Sequence, residues 1–230
     1  MKRYARYLGK IAFFVAFVCV CLVAFVGYML FLRPASTKPQ ALSDDSGIIP
    51  AISDGDHVLW DGNSAITVIN YYDFDCPHCK LLFFRELHEP ENIKKEIRLI
   101  YRPFPLRQLF PRSLGRMIIA ECVAAQTNDK IFFSFLEAGW RAYQPKSVDD
   151  IWLMKIAEGF VPNQDALHSC SQKEEPLARM NAIRAGALIR GIFSTPSFLV
   201  QKQNQALKRY DLLGEGTGAG LLEAYAQQML

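Results

Sequence analysis

The first 42 residues contain no acidic side chain, and within them Ile11–Leu32 runs for 22 residues without a charge of either sign. Such a stretch is out of place on the surface of a soluble domain. It meets the requirement of about 20 apolar residues for a helix that crosses the hydrocarbon core. Lys2, Arg3, Arg6 and Lys10 precede it. The positive-inside tendency keeps those bases cytoplasmic and exports everything after Arg33. A cleaved signal peptide is the rival, but its apolar core is usually about 7–15 residues long. No small-x-small cleavage site follows either: Ala35 has Arg33 two residues before it, and Ala41 has Pro39. The sequence therefore predicts a cytoplasmic segment at 1–10, an uncleaved signal-anchor at 11–32, and a linker rich in Pro, Ser, Asp and Gly at 33–56. Cys19 and Cys21 read as small apolar residues in lipid.

Positive charge is scarce where nucleic acid would need it. Six of the 26 Lys and Arg residues lie before Ser43, leaving 20 against 23 Asp and Glu, a net of about −3. A mildly acidic domain excludes the electrostatic footprint of a nucleic-acid binder. No internal repeat or low-complexity tract is present. Cysteine is sparse too: beyond the apolar run there are only Cys76, Cys79, Cys122 and Cys170. Zinc usually takes a second close pair, and Cys122 and Cys170 each stand alone, so no metal is expected. Four cysteines in an exported domain can close two bridges.

The soluble part begins with a short strand around His57–Trp60. Ala65–Asp73, AITVINYYD, reads as a buried strand, and Ile97–Tyr101 as a second. Between them Pro77 opens a helical stretch, CKLLFFRELHEPENIKKE; proline suits the first turn because its missing N–H has no partner there. Residues 111–189 change to helical periodicity throughout, with Ser147 or Asn163 as candidate caps. Strand character returns at Pro196–Gln201, followed by a turn at Gln203-Asn204-Gln205 and a hairpin partner at Ala206–Tyr210. After a glycine-rich break, LLEAYAQQML forms a closing helix.

Chemistry concentrates at Cys76-Pro77-His78-Cys79. Two cysteines three apart fit one helical turn. Cys76 falls at the helix N-terminus, where unpaired N–H groups and the macrodipole favour an anion. Its thiolate is thereby stabilised, as in other CxxC centres. His78 can add positive charge or a hydrogen bond to that sulfur, and Cys79, one turn in, is the shielded resolving thiol. A stabilised thiolate makes the disulfide form oxidising. The second marker is Ser194-Thr195-Pro196 at the head of a strand. Proline is awkward in a central strand and is better explained as a cis proline at a turn.

DFDCPHC followed far downstream by STPSFLV resembles the DsbA-like branch of the thioredoxin superfamily, over roughly residues 57–230. The resemblance implies an α/β thioredoxin fold with an inserted all-helical domain, here preceded by one transmembrane helix. The fold would use residues 57–110 and 190–230, with the insertion at 111–189. It implies that Cys76 is the exposed attacking cysteine and Cys79 its resolving partner. Pro196 would be the cis proline beside the bridge, and Thr195 the residue that tunes the potential and holds substrate backbone. It also implies a structural disulfide between Cys122 and Cys170, the alternative being two buried free thiols. Two positions depart from the pattern. Ser194 replaces the usual glycine, and Asn70 stands where many members have a buried acid for proton transfer. Asp73 or Asp75 can substitute, or both are solvated loop carboxylates.

The function expected is thiol–disulfide oxidoreduction by a single-pass protein of a bacterial inner membrane, its domain in the periplasm. The Pro-His dipeptide resembles strongly oxidising members. About 25 linker residues leave no room for a dimerisation domain, which favours a monomeric oxidase over an isomerase; a reductase stays open. No cofactor is implied. The partners are exported cysteine-containing proteins and a membrane redox partner. Phe74, Phe104 and Phe198 line either a peptide groove or the core. The alternative class is a binding or chaperone module of a membrane machine, in which Arg102, Arg107, Arg112 and Arg116 form a docking face rather than a set of solvated side chains.

Overall fold

The computed structural model describes residues 56–62, 66–89, 91–143, 149–202 and 208–211. The anchor at 11–32, almost all of the linker, Ser147, the turn at Gln203-Asn204-Gln205 and the closing helix lie outside the described residues. Among the described residues no helix is long and apolar enough to cross a membrane.

The central element is β2 (Ile66–Tyr72), whose sequence ITVINYY is buried almost throughout. A strand covered on both faces carries apolar side chains without alternation. It pairs in parallel with β3 (Ile97–Pro103) on one side and antiparallel with β4 (Ser197–Lys202) on the other. β1 (His57–Asp61) and β5 (Lys208–Asp211) complete the five-stranded sheet in the order β1-β3-β2-β4-β5.

Alternate residues of β2 feed two cores. Val68 and Tyr72 join the larger core, with Leu99, Phe83, Trp140 and Met117. Ile69 and Tyr71 join the smaller one, with Ile100, Phe104, Leu199 and Ile192. The expected single helical stretch after the cysteines is two helices, α1 (Pro77–Glu86) and α2 (Glu91–Glu96). Pro90 explains the break, because proline disfavours helical backbone at the residue before it.

Among the described residues, five helices lie between β3 and β4: α3 (Ser113–Ala124), α4 (Asp129–Arg141), α5 (Ile151–Glu158), α6 (Gln164–Ser171) and α7 (Glu174–Ile189). Asn163 caps α6 as expected, its side chain accepting from Ala166 N at 2.9 Å. Asn128, which the pattern did not single out, caps α4 in the same way through Ile131 N. Cys122 on α3 and Cys170 on α6 are joined by a disulfide that spans 48 residues of sequence.

Candidate functional site: the Cys76–Cys79 centre

The loop that delivers Cys76 leaves the end of β2 and is pinned on several sides. Asp73 accepts hydrogen bonds from Asp75 N at 2.7 Å and from Leu106 N at 2.6 Å. Trp140 Nε1 donates to Phe74 O at 2.8 Å. Gly139 makes that approach possible: a Cβ there would lie 2.9 Å from the Phe74 ring and 3.0 Å from Leu153. Arg116 is buried and spans Asp75 at 2.6 Å and Asp150 at 2.8 Å, with the Tyr143 and Trp152 rings 5.6 and 5.5 Å away. The insertion therefore clamps the residue that precedes the first cysteine.

Cys76 is the N-cap of α1, and Pro77 follows it in the first turn. Its sulfur accepts from Cys79 N at 3.4 Å, and its thiol donates to Thr195 O at 3.3 Å. The Thr195-Pro196 peptide is cis. The Thr195 hydroxyl is buried without a well-formed hydrogen bond, and it favours the thiolate form of both cysteines. Next to it Ser197 Oγ donates to Ser194 O at 2.8 Å, so Ser194 serves to brace the turn.

These donors set the two thiols apart. The Cys76 thiol is lowered to about 6, first by its hydrogen bond from Cys79, then by the Cys79 N–H, the Thr195 hydroxyl and the His78 N–H, against the opposing effect of burial. Burial pushes the Cys79 thiol well up, and the neighbouring Cys76 pushes it further. One sulfur is built to be a thiolate at neutral pH and the other to keep its proton.

Several expectations change. Cys76 is only 3% exposed, not a surface cysteine, because its sulfur lies against the Thr195-Pro196 turn. Pro77 and His78 take the exposed positions instead. His78 helps to lower the Cys76 thiol through its backbone N–H rather than its ring. Asp73 and Asp75 are buried, not solvated. Burial raises the Asp73 carboxyl to about 6, and its oxygens are occupied in holding the loop. Phe74, Phe104 and Phe198 are core residues. The four arginines form no common face: Arg102 and Arg116 are buried in ion pairs with Asp56 and with Asp75 and Asp150, while Arg107 and Arg112 are exposed.

A buried acid that sequence reasoning passed over is Glu86, whose side chain is fully enclosed and receives the Tyr101 hydroxyl. Its spacing was the available signal. Cys79, Leu82, Phe83 and Glu86 occupy one inward face of α1 at intervals of three, one and three.

A proline-led helix start, a low thiol over a high one, and a cis X-Pro turn against the sulfur define a dithiol centre on a thioredoxin scaffold, suited to thiol–disulfide exchange. The chain belongs to the thioredoxin family, whose model matches residues 53–214. Its arrangement, with five helices inserted between β3 and β4, is DsbA-like. The fold is similar to that of alpha-DsbA1 from Wolbachia pipientis, with a TM-score of 0.61 and 21% identity over 82% of this chain and 94% of that one. It is also similar to DsbA2 from Pseudomonas aeruginosa, with a TM-score of 0.58 and 21% identity over 79% of this chain and 96% of that one. Among curated proteins, 126 residues are 30% identical to part of the Na(+)/H(+) antiporter NhaA 3 of Salinispora tropica. That match covers 51% of this chain and spans only 19% of the antiporter's length.

Proposed function

We propose that this protein is a membrane-anchored thiol–disulfide oxidase that donates the Cys76–Cys79 disulfide to exported proteins. The observation that carries the reading is the placement of Cys76 at the cap of α1, with backbone and side-chain donors converging on its sulfur. Stabilising the thiolate stabilises the reduced centre, and a stabilised reduced form makes the disulfide a strong oxidant. In the proposed reaction a substrate thiolate attacks Cys76 Sγ, and the Cys76–Cys79 bond breaks with Cys79 leaving. A second substrate thiolate then displaces Cys76, which departs as the stabilised thiolate. The substrate gains a disulfide, and the centre holds the two electrons. A membrane redox partner returns the centre to the disulfide. Thr195 and Pro196 hold the substrate backbone in the mixed disulfide, and Cys122–Cys170 is structural. The charge-free run at 11–32 provides the tether, with the domain on the periplasmic side of a bacterial inner membrane.

The test uses the full chain in detergent, oxidised beforehand. It is mixed stoichiometrically with a reduced two-cysteine peptide, and separately its reduced form is mixed with insulin. The proposal predicts rapid peptide oxidation and weak insulin reduction. Fast insulin reduction without peptide oxidation assigns the opposite direction, a reductase.

A further inference from the structure

Charge is segregated along this chain. From Ile97 to Ala120 there are five arginines and no acid, and from Pro176 to Tyr210 there are six Lys and Arg and no acid. In the rest of the chain from Ser43 on, nine Lys and Arg stand against all 23 Asp and Glu. The two acid-free stretches pack on each other. Phe104 and Leu106 share the smaller core with Ala187 and Ile192, and the Arg184 guanidinium lies 5.6 Å from the centre of the Phe104 ring.

Some of these arginines are neutralised within the domain: Arg98, Arg102, Arg116 and Arg179 are in ion pairs. Among the described residues Arg107, Arg112 and Arg184 are in none, and the first two are exposed. The same two stretches carry Leu109, Ile189 and Phe193, which are 70%, 84% and 69% exposed. Large apolar side chains grouped in this way on a surface mark a contact site. The backbone holds them outward. Leu109 N donates to Leu106 O at 2.9 Å. Between Ile189 and Phe193, Gly191 takes a φ of 73°, and the N–H groups of Gly191 and Ile192 close the end of α7 on Leu188 O and Ala187 O.

We propose that this basic and apolar face docks on an anionic lipid surface. The inference rests on the tether proposed above. A flexible linker of about 24 residues averages roughly 27 Å end to end. The bilayer is therefore the surface present at the highest effective concentration around the domain. Each arginine near an anionic headgroup layer is attracted to it, and Leu109, Ile189 and Phe193 enter the interface between the headgroups. The acidic remainder of the domain is repelled by the same surface, which fixes the orientation. Phe193 stands two residues before Thr195, so docking sets the dithiol centre beside the bilayer, within reach of a membrane redox partner.

The test places the full chain in nanodiscs whose lipids carry bromine on the acyl chains, a quencher of tryptophan at contact range. The wild type sets the baseline of Trp60, Trp140 and Trp152. Ile189→Trp adds a reporter on the face, and Leu109→Trp is the second reporter if the first does not fold. In phosphatidylglycerol-rich discs the added emission is expected to fall by about half, as a face drawn to anionic headgroups requires. It should stay bright in phosphatidylcholine discs. Salt at 1 M, which shortens the screening length to about 3 Å, should restore it in the anionic discs. Arg107→Gln combined with Arg112→Gln should restore it as well. Quenching that is equal in the two lipids, or absent from both, overturns the inference and leaves the tether standing. Emission unmoved by bromine but changed by a cysteine-containing peptide gives the face to a protein partner and also overturns it. A chain that does not enter the discs overturns the tether reading and this inference together.

Discussion

The two cysteine pairs among the described residues carry the same thiol chemistry to opposite ends. Cys76 and Cys79 stand three positions apart at a helix start, free, with N–H donors converging on the first sulfur. Cys122 and Cys170 are separated by 48 residues, sit within two helices of the insertion, and are bonded. Backbone position decides the difference. A sulfur at a helix cap sees unpaired donors that hold it as an anion, while a sulfur inside a packed helix sees hydrocarbon and gains from being bonded.

The largest expected effect breaks the first pair. Cys76→Ser should reduce peptide oxidation to the uncatalysed background, with an unchanged circular dichroism spectrum. Replacing both Cys122 and Cys170 by Ala should leave the Cys76 titration where it was and lower stability. The closed loop of 48 residues is worth about 4 kcal/mol in the chain-entropy model, read from denaturant unfolding. If activity falls in parallel with stability in the mild range of denaturant, the two pairs are less independent than described.

A smaller effect lies beneath the first pair. The Glu86 carboxyl stands at about 8 in the fold against 4.5 ordinarily, so the folded state keeps a proton that the unfolded chain has released between those values. Stability is therefore expected to fall as pH rises through that window, by up to a few kcal/mol. Asp73 acts in the same direction between 3.8 and about 6. Glu86→Gln should flatten the upper part of the curve in thermal melts at pH 5 to 8. The smallest effect is Thr195→Val, which removes one donor and should raise the Cys76 thiol by about one unit, the ~1.4 kcal/mol of a charge-assisted hydrogen bond. Ultraviolet thiolate absorbance reads it directly, and the Cys122/Cys170 variant serves as its unshifted control.

Much of this was legible in the amino-acid order. ITVINYY announces a strand covered on both faces, proline after Cys76 marks the helix start, and Thr195-Pro196 marks the turn before β4. What escaped were burial facts about charged side chains. Arg116 and Glu86 look like ordinary solvated residues in SLGRMIIAE and FFRELHE. Whether a polar side chain on a largely apolar helix faces in or out is decided by what the rest of the chain packs against it. Arg116 needed Asp75 and Asp150, distant in sequence, before its burial made sense. The burial of Cys76 is hidden from the sequence for the same reason: the turn that covers it comes 119 residues later.

If the donors around Cys76 hold its thiolate, the Cys76–Cys79 disulfide is a strong oxidant. The most direct test is the equilibrium potential of the Cys76–Cys79 couple in glutathione buffers at pH 7. A potential close to that of the strongly oxidising members of the superfamily, about −120 mV, is expected; one near the roughly −270 mV of thioredoxin rules the oxidase reading out.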